Sequence, residues 1–166
     1  MRNVRVAAIQ MQCTKDVATN IQTAERLVRQ AADKGAQIIL LPELFERPYF
    51  CQERKYDYYR YAQSVSENTA IQHFKVIAKE LQVVLPISFY EKDGNVLYNS
   101  IAVIDADGEV LGVYRKTHIP DDHYYQEKFI LRQVTLVSRS GILAMLRLGL
   151  ASVGINGFLK QRAVLR

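Results

Sequence analysis

The sequence predicts an α/β fold, and three observations carry that prediction. The first 41 residues read strand, helix, strand. A second stretch of helical spacing at 67–81 then leads into a third strand, and two more strand-like runs flank a compact turn. A strand-helix-strand order of this kind favours a parallel pair joined by a crossover.

Each element has a local reason. Val4 to Gln10 is a short apolar run with β-branched members, and is expected to be a buried strand. Asn20 is the expected cap of a helix whose apolar positions Ile21, Ala24, Leu27, Val28, Ala31 and Ala32 share one face, with Gly35 as its stop. Gln37 to Leu41 reads as a second buried strand. Glu43 to Arg60, polar and aromatic, predicts a long loop with a helical piece near its end. Helical spacing returns over Glu67 to Leu81 through Ile71, Phe74, Ile77, Ala78 and Leu81, and Val83 to Tyr90 is the third strand. Lys92-Asp93-Gly94-Asn95 carries turn chemistry. Tyr98 to Ile104 and Glu109 to Tyr114 form a hairpin across Asp105-Ala106-Asp107-Gly108.

Composition narrows the function classes. With 166 residues, 49% hydrophobic and 23% charged, the chain is sized for one globular domain. Its longest apolar stretches are interrupted by Arg147 or end too soon to span a bilayer, and the N-terminus lacks a signal-peptide pattern. Two cysteines, Cys13 and Cys51, are too few for a disulfide scaffold or a zinc site and suit a reducing cytoplasm. The net charge of +5 is unevenly spread: residues 130–166 hold six of the 22 basic residues and none of the 17 acidic ones, so residues 1–129 carry a net of −1. All ten tyrosines and all four prolines also precede residue 130. Six cations over 37 residues make a weak footprint for nucleic acid or a membrane surface, and neither partner is expected. Tyr56, Tyr58, Tyr59 and Tyr61 stand among acids as well as bases and are expected to pack their rings.

Two segments place reactive side chains at strand ends. Glu43 follows Leu40-Leu41-Pro42 at the carboxyl end of a buried strand, where ligand sites of open α/β sheets collect. A carboxylate there serves as a general base when desolvated, and as readily as a cap or ion-pair partner. Lys116, in Tyr114-Arg115-Lys116-Thr117-His118-Ile119-Pro120, is placed to steady an oxyanion or to be a solvated strand end. No second histidine or carboxylate stands at ligand spacing from His118, so no metal is expected. Glu127 lies in the aromatic run His123 to Phe129, as a second site carboxylate or an exposed helix start.

Taken in order, Ala7-Ala8-Ile9-Gln10, Leu41-Pro42-Glu43, Pro86-Ile87-Ser88, Tyr98-Asn99-Ser100, Tyr114 to Pro120 and Tyr125-Gln126-Glu127-Lys128-Phe129 resemble the nitrilase superfamily of carbon–nitrogen hydrolases over residues 4–129. Phe45 to Gln52 and Asp121 to Phe129 further resemble its branch that hydrolyses N-carbamoylputrescine in polyamine synthesis. The resemblance implies that residues 1–129 are the N-terminal portion of an α-β-β-α sandwich, oligomeric when complete and free of cofactors. It also implies a catalytic set in which Glu43 is the base, Lys116 the oxyanion cation and Glu127 the second carboxylate. Tyr49, His118 and Tyr125 would then be walls for a small ureido or amide substrate.

The same resemblance exposes a gap. The family's nucleophilic cysteine stands well after the lysine, in a cysteine-tryptophan-aspartate run followed by phenylalanine, proline and glutamate, yet no cysteine follows Cys51 here. Reading each codon one base early supplies it. The overlap Ser152/Val153 permits cysteine, and those onward to Leu159/Lys160 permit tryptophan, aspartate, glutamine, tryptophan, phenylalanine, proline and glutamate. Residues 130–166 are therefore expected to be an out-of-frame tail, basic and apolar, with the missing cysteine at position 153. The expected product is an amidohydrolase relative without turnover, or else a remnant that binds a ligand or another subunit.

Overall fold

The computed structural model describes residues 4–123 and 125–132; the tail expectation, beyond its first three residues, lies outside the described residues. Its order is β1 (Val6–Ala8), α1 (Val17–Asp33), β2 (Ile38–Leu40), α2 (Thr69–Leu81), β3 (Leu85–Asp93), β4 (Val96–Ile104) and β5 (Val110–Arg115), with short 3-10 turns at Phe50–Gln52, Tyr56–Tyr61 and Glu127–Phe129. β1 and β2 pair in parallel, as the strand-helix-strand pattern requires. β3, β4 and β5 form an antiparallel meander. A parallel bridge between Ile38 and Val84 joins the two ladders, with Ile39 N–H donating to Val84 O at 3.1 Å and Val84 N–H to Gln37 O at 2.9 Å.

The helices cover one face of this sheet. α1 turns Ile21, Ala24, Val28 and Ala31 inward and α2 turns Ala70, Ile71, Phe74, Ile77 and Ala78 inward, against Leu85, Ile87, Phe89, Ala102 and Ile104 from the strands. Phe45, at the head of the long loop, meets Phe74 edge to face at 6.0 Å, which ties that loop to the core. The described residues thus make one helix layer on one sheet layer, half of the expected sandwich.

Several local expectations are corrected. Asp16, not Asn20, caps α1, accepting from Thr19 N–H at 2.7 Å. A cap at Asp16 starts the helix four residues sooner and carries Asn20 inside, where its amide bonds Thr14 and the carbonyl of Glu46 at 2.9 Å. β1 is only partly buried: Ala7 packs against the core while Val6 is 64% exposed, and among the described residues β1 pairs with β2 alone. Tyr58 and Tyr61 do pack on Phe50, but Tyr56 stacks with Tyr59 on the outside and is largely exposed. The β4–β5 hairpin forms where predicted; at its Gly108, φ is +87° and a Cβ would meet Lys75 O at 2.7 Å, so the turn passes too close to α2 for any side chain. Among the described residues no helix is long and apolar enough to cross a membrane.

Candidate active site

Three chain segments that are distant in sequence meet beyond the ends of β2 and β5. Just past β2 the chain turns sharply at Leu44, a non-glycine residue in the left-handed region at φ +51°. Such a conformation persists only where its surroundings hold it. Here the Leu44 side chain is buried and its N–H donates to the buried Ser88 Oγ on β3 at 3.0 Å. The loop beyond is pinned at Glu46. The Glu46 carbonyl accepts from Asn20, and its carboxylate accepts from the buried Asn68 Nδ2 at 3.1 Å, although burial pushes that carboxyl above the usual range. This anchored turn presents Glu43.

Lys116 follows β5, and its N–H donates to Asn99 O on β4 at 2.8 Å, extending the ladder by one residue. Glu127 opens the last 3-10 turn, which is fastened to the Phe50 turn by Gln126 N–H donating to Cys51 O at 2.8 Å. The three side chains converge: Lys116 Nζ lies 3.0 Å from Glu43 Oε1, and 2.8 and 3.0 Å from the two oxygens of Glu127. Asn99 Nδ2 donates to the same Glu43 Oε1 at 2.5 Å, and Tyr49 donates its hydroxyl to Glu127 Oε1.

Exposure separates the two carboxylates. Glu127 is 1% exposed and Lys116 8%, whereas the Glu43 side chain retains 28%. Among the described residues Glu43 Oε2 receives no hydrogen bond, so it keeps free lone pairs on the open side of the cluster. Burial works hardest against the Lys116 charge, but Glu43 and Glu127 together outweigh it and hold the ammonium above the usual lysine range. Tyr49 is pushed up by burial and then by its bond to Glu127, so it stays a proton donor. The buried Cys51 thiol is also pushed up, by burial first and then by the two carboxylates, with Lys116 and Tyr49 opposing. It stays protonated at neutral pH and is a poor nucleophile.

The structure therefore brings Glu43, Lys116, Glu127 and Tyr49 together, and sets Tyr125 at the rim, 47% exposed, with its ring 6.2 Å from that of Tyr49. His118 is exposed, and no hydrogen bond among the described residues joins it to the cluster. The two alternatives for Glu127 merge, since it does begin a helical turn but is buried. Asn99, Ser88 and Asn68 were given no individual roles by the sequence, and Asn20 was expected only as a helix cap. A polar residue inside an otherwise apolar strand was the signal available for the first two.

Comparisons with known proteins show the family of the chain. A family described as carbon–nitrogen hydrolase matches residues 5–160. An N-carbamoylputrescine amidase from Solanum tuberosum is 56% identical over 128 residues, covering 77% of this chain and 43% of that protein. A citrullinase from Francisella tularensis is 46% identical over 129 residues, 78% of this chain and 45% of that one. The crystal structure of a carbon–nitrogen hydrolase from Helicobacter pylori G27 superposes with a TM-score of 0.74 at 31% identity, covering 80% of this chain and 46% of that chain. This chain spans less than half the length of each of these relatives. It belongs to the carbon–nitrogen hydrolase family.

Proposed function

From that membership we propose that Glu43, Lys116 and Glu127 are part of a site that hydrolyses small ureido or amide compounds, N-carbamoylputrescine first among them. The observation that carries this reading is one ammonium bonded to two carboxylates of unequal exposure. The buried Glu127 keeps Lys116 charged and aimed, and the accessible Glu43 has an oxygen free to take a proton. Two relatives are named for substrates that end in a ureido group, which favours that class.

In the full reaction a thiolate attacks the ureido carbonyl after Glu43 takes the thiol proton. Lys116 stands against the oxygen that becomes negative. Glu43 returns its proton to the departing nitrogen, which leaves as ammonia. It then deprotonates water, which cleaves the thiol ester to a carbamate that releases carbon dioxide and the amine. Tyr49, Tyr125 and, outermost, His118 are proposed as walls of the pocket.

The thiolate is what this chain lacks: no cysteine follows Cys51, and Cys51 is buried and protonated. We propose that the 166-residue chain does not turn substrate over, and that residues 130–166 are read out of frame. Supporting the second point, the match to the Solanum protein spans 128 residues, about the length of the segment before the change in composition. The family match continues to residue 160, so the decisive reading is the DNA through the codon of Phe129; an uninterrupted frame there overturns the proposal. For the site, the assay is ammonia release from N-carbamoylputrescine by the purified chain. None above the protein-free rate is expected. Release that Glu43→Gln abolishes would show a working nucleophile and refute the loss of turnover.

A further inference from the structure

Asn99 touches both reactive partners of the cluster. Its carbonyl accepts from Lys116 N–H at 2.8 Å, and its side-chain amide donates to Glu43 Oε1 at 2.5 Å, from a position on β4 that is 1% exposed. The orientation of the amide follows from chemistry, because an ionised carboxylate only accepts and must face the NH2 end. That choice leaves Asn99 Oδ1 buried without a hydrogen-bond partner among the described residues. A side chain kept for packing alone would avoid such an acceptor, which an apolar residue of the same size removes.

We propose that Asn99 is a positioning residue of the site. By occupying Glu43 Oε1 together with Lys116, it turns Oε2 toward the open side and keeps Glu43 within reach of the Lys116 ammonium. Glu43 lies on a loop and Lys116 at a strand end, and Asn99 bonds both from one rigid strand, so their separation does not depend on loop motion. Its unpaired Oδ1 is the consequence of aiming Nδ2. The inference rests on reading the cluster as a hydrolytic site, but its test needs no turnover.

The test is NMR on the full chain with 15N-labelled lysine side chains, Lys116 being assigned by the signal lost in Lys116→Gln. The groups facing this ammonium are Glu43 and Glu127, with Tyr49 and Cys51 behind them. In Asn99→Leu, Glu43 is freed and the Lys116 midpoint falls by about one pH unit, a tenfold loss of proton affinity. Ile101→Val, on the same strand, lowers the melting temperature without moving the midpoint. A midpoint unmoved in Asn99→Leu while stability falls makes Asn99 a packing residue and overturns the proposal. Should Asn99→Leu not fold, the unsubstituted chain decides. One Asn99 Hδ2 proton resonates downfield of those of exposed asparagines and moves upfield in Glu43→Ala; no movement overturns the proposal. A Lys116 shift in a chain that binds no ureido compound sinks the hydrolase reading and leaves the positioning intact, and ureido binding without the shift does the reverse.

Discussion

Arg115 and Lys116 are neighbours in the chain, and strand alternation sends them to opposite faces of the same sheet. On the helix side, Arg115 meets Glu91 through two bonds of 2.7 and 2.6 Å and Asp93 through a third of 2.6 Å, while Ser100 Oγ donates to Glu91 at 2.6 Å. Both Glu91 oxygens are occupied. On the other side, Lys116 gathers Glu43 and Glu127, but Glu43 Oε2 and Asn99 Oδ1 are left without hydrogen bonds among the described residues. A saturated ion pair has no capacity left for a ligand and serves the fold. An unsaturated one, with its Glu43 side chain 28% exposed, keeps an acceptor available to a ligand. The difference lies in stoichiometry as much as in charge: a bidentate guanidinium and a hydroxyl fill a carboxylate, whereas one ammonium shared by two carboxylates does not.

The sharpest way to break that contrast is to remove one partner on each side. Glu127→Ala leaves a buried ammonium with only the partly exposed Glu43, and is expected to cost about 3 kcal/mol of stability in urea denaturation. A cost below about 1 kcal/mol would mean that Lys116 escapes to water and that Glu127 is not what keeps its ammonium buried. Glu91→Ala is expected to cost less, about 2 kcal/mol, because Arg115 is partly exposed and retains Asp93. Its second expected outcome is no change in the Lys116 midpoint, and coupling between the two faces would show there.

A pH series refines the comparison further. The folded-state midpoint of Lys116 lies above its unfolded value, so the folded chain binds that proton more tightly. The resulting stability is fully present below the ordinary lysine value of about 10.4 and is lost as pH rises through the raised midpoint. Thermal melts between pH 9 and 12 should therefore steepen their decline in the native chain and flatten in Lys116→Met. Equal slopes in the two chains would remove Lys116 from the account.

Much of the fold was legible in the residues. α2 ends at Leu81 as its periodicity requires, and the β4–β5 hairpin turns at the Asp-Ala-Asp-Gly segment, because both are set by neighbours within a few positions. The misplaced cap at Asn20 and the exposed β1 were not legible. Competition between Asp16 and Asn20 is decided by Glu46, which is distant in sequence and gives Asn20 a buried partner. Exposure of β1 depends on what packs over each face of the strand, and its own apolar run carries no information about that.

For the site, residue identity determined which groups were available: Glu43, Lys116 and Glu127 each stand at the end of a recognisable segment, and the absence of a cysteine beyond Cys51 is a fact of the chain itself. Only the tertiary structure decided how they are arranged. It buried Glu127, left Glu43 open, recruited Tyr49 and Asn99, and kept His118 outside. The physical reason is that covalent order fixes what a side chain can donate or accept, while burial and hydrogen-bond occupancy arise from atoms brought together across the sheet.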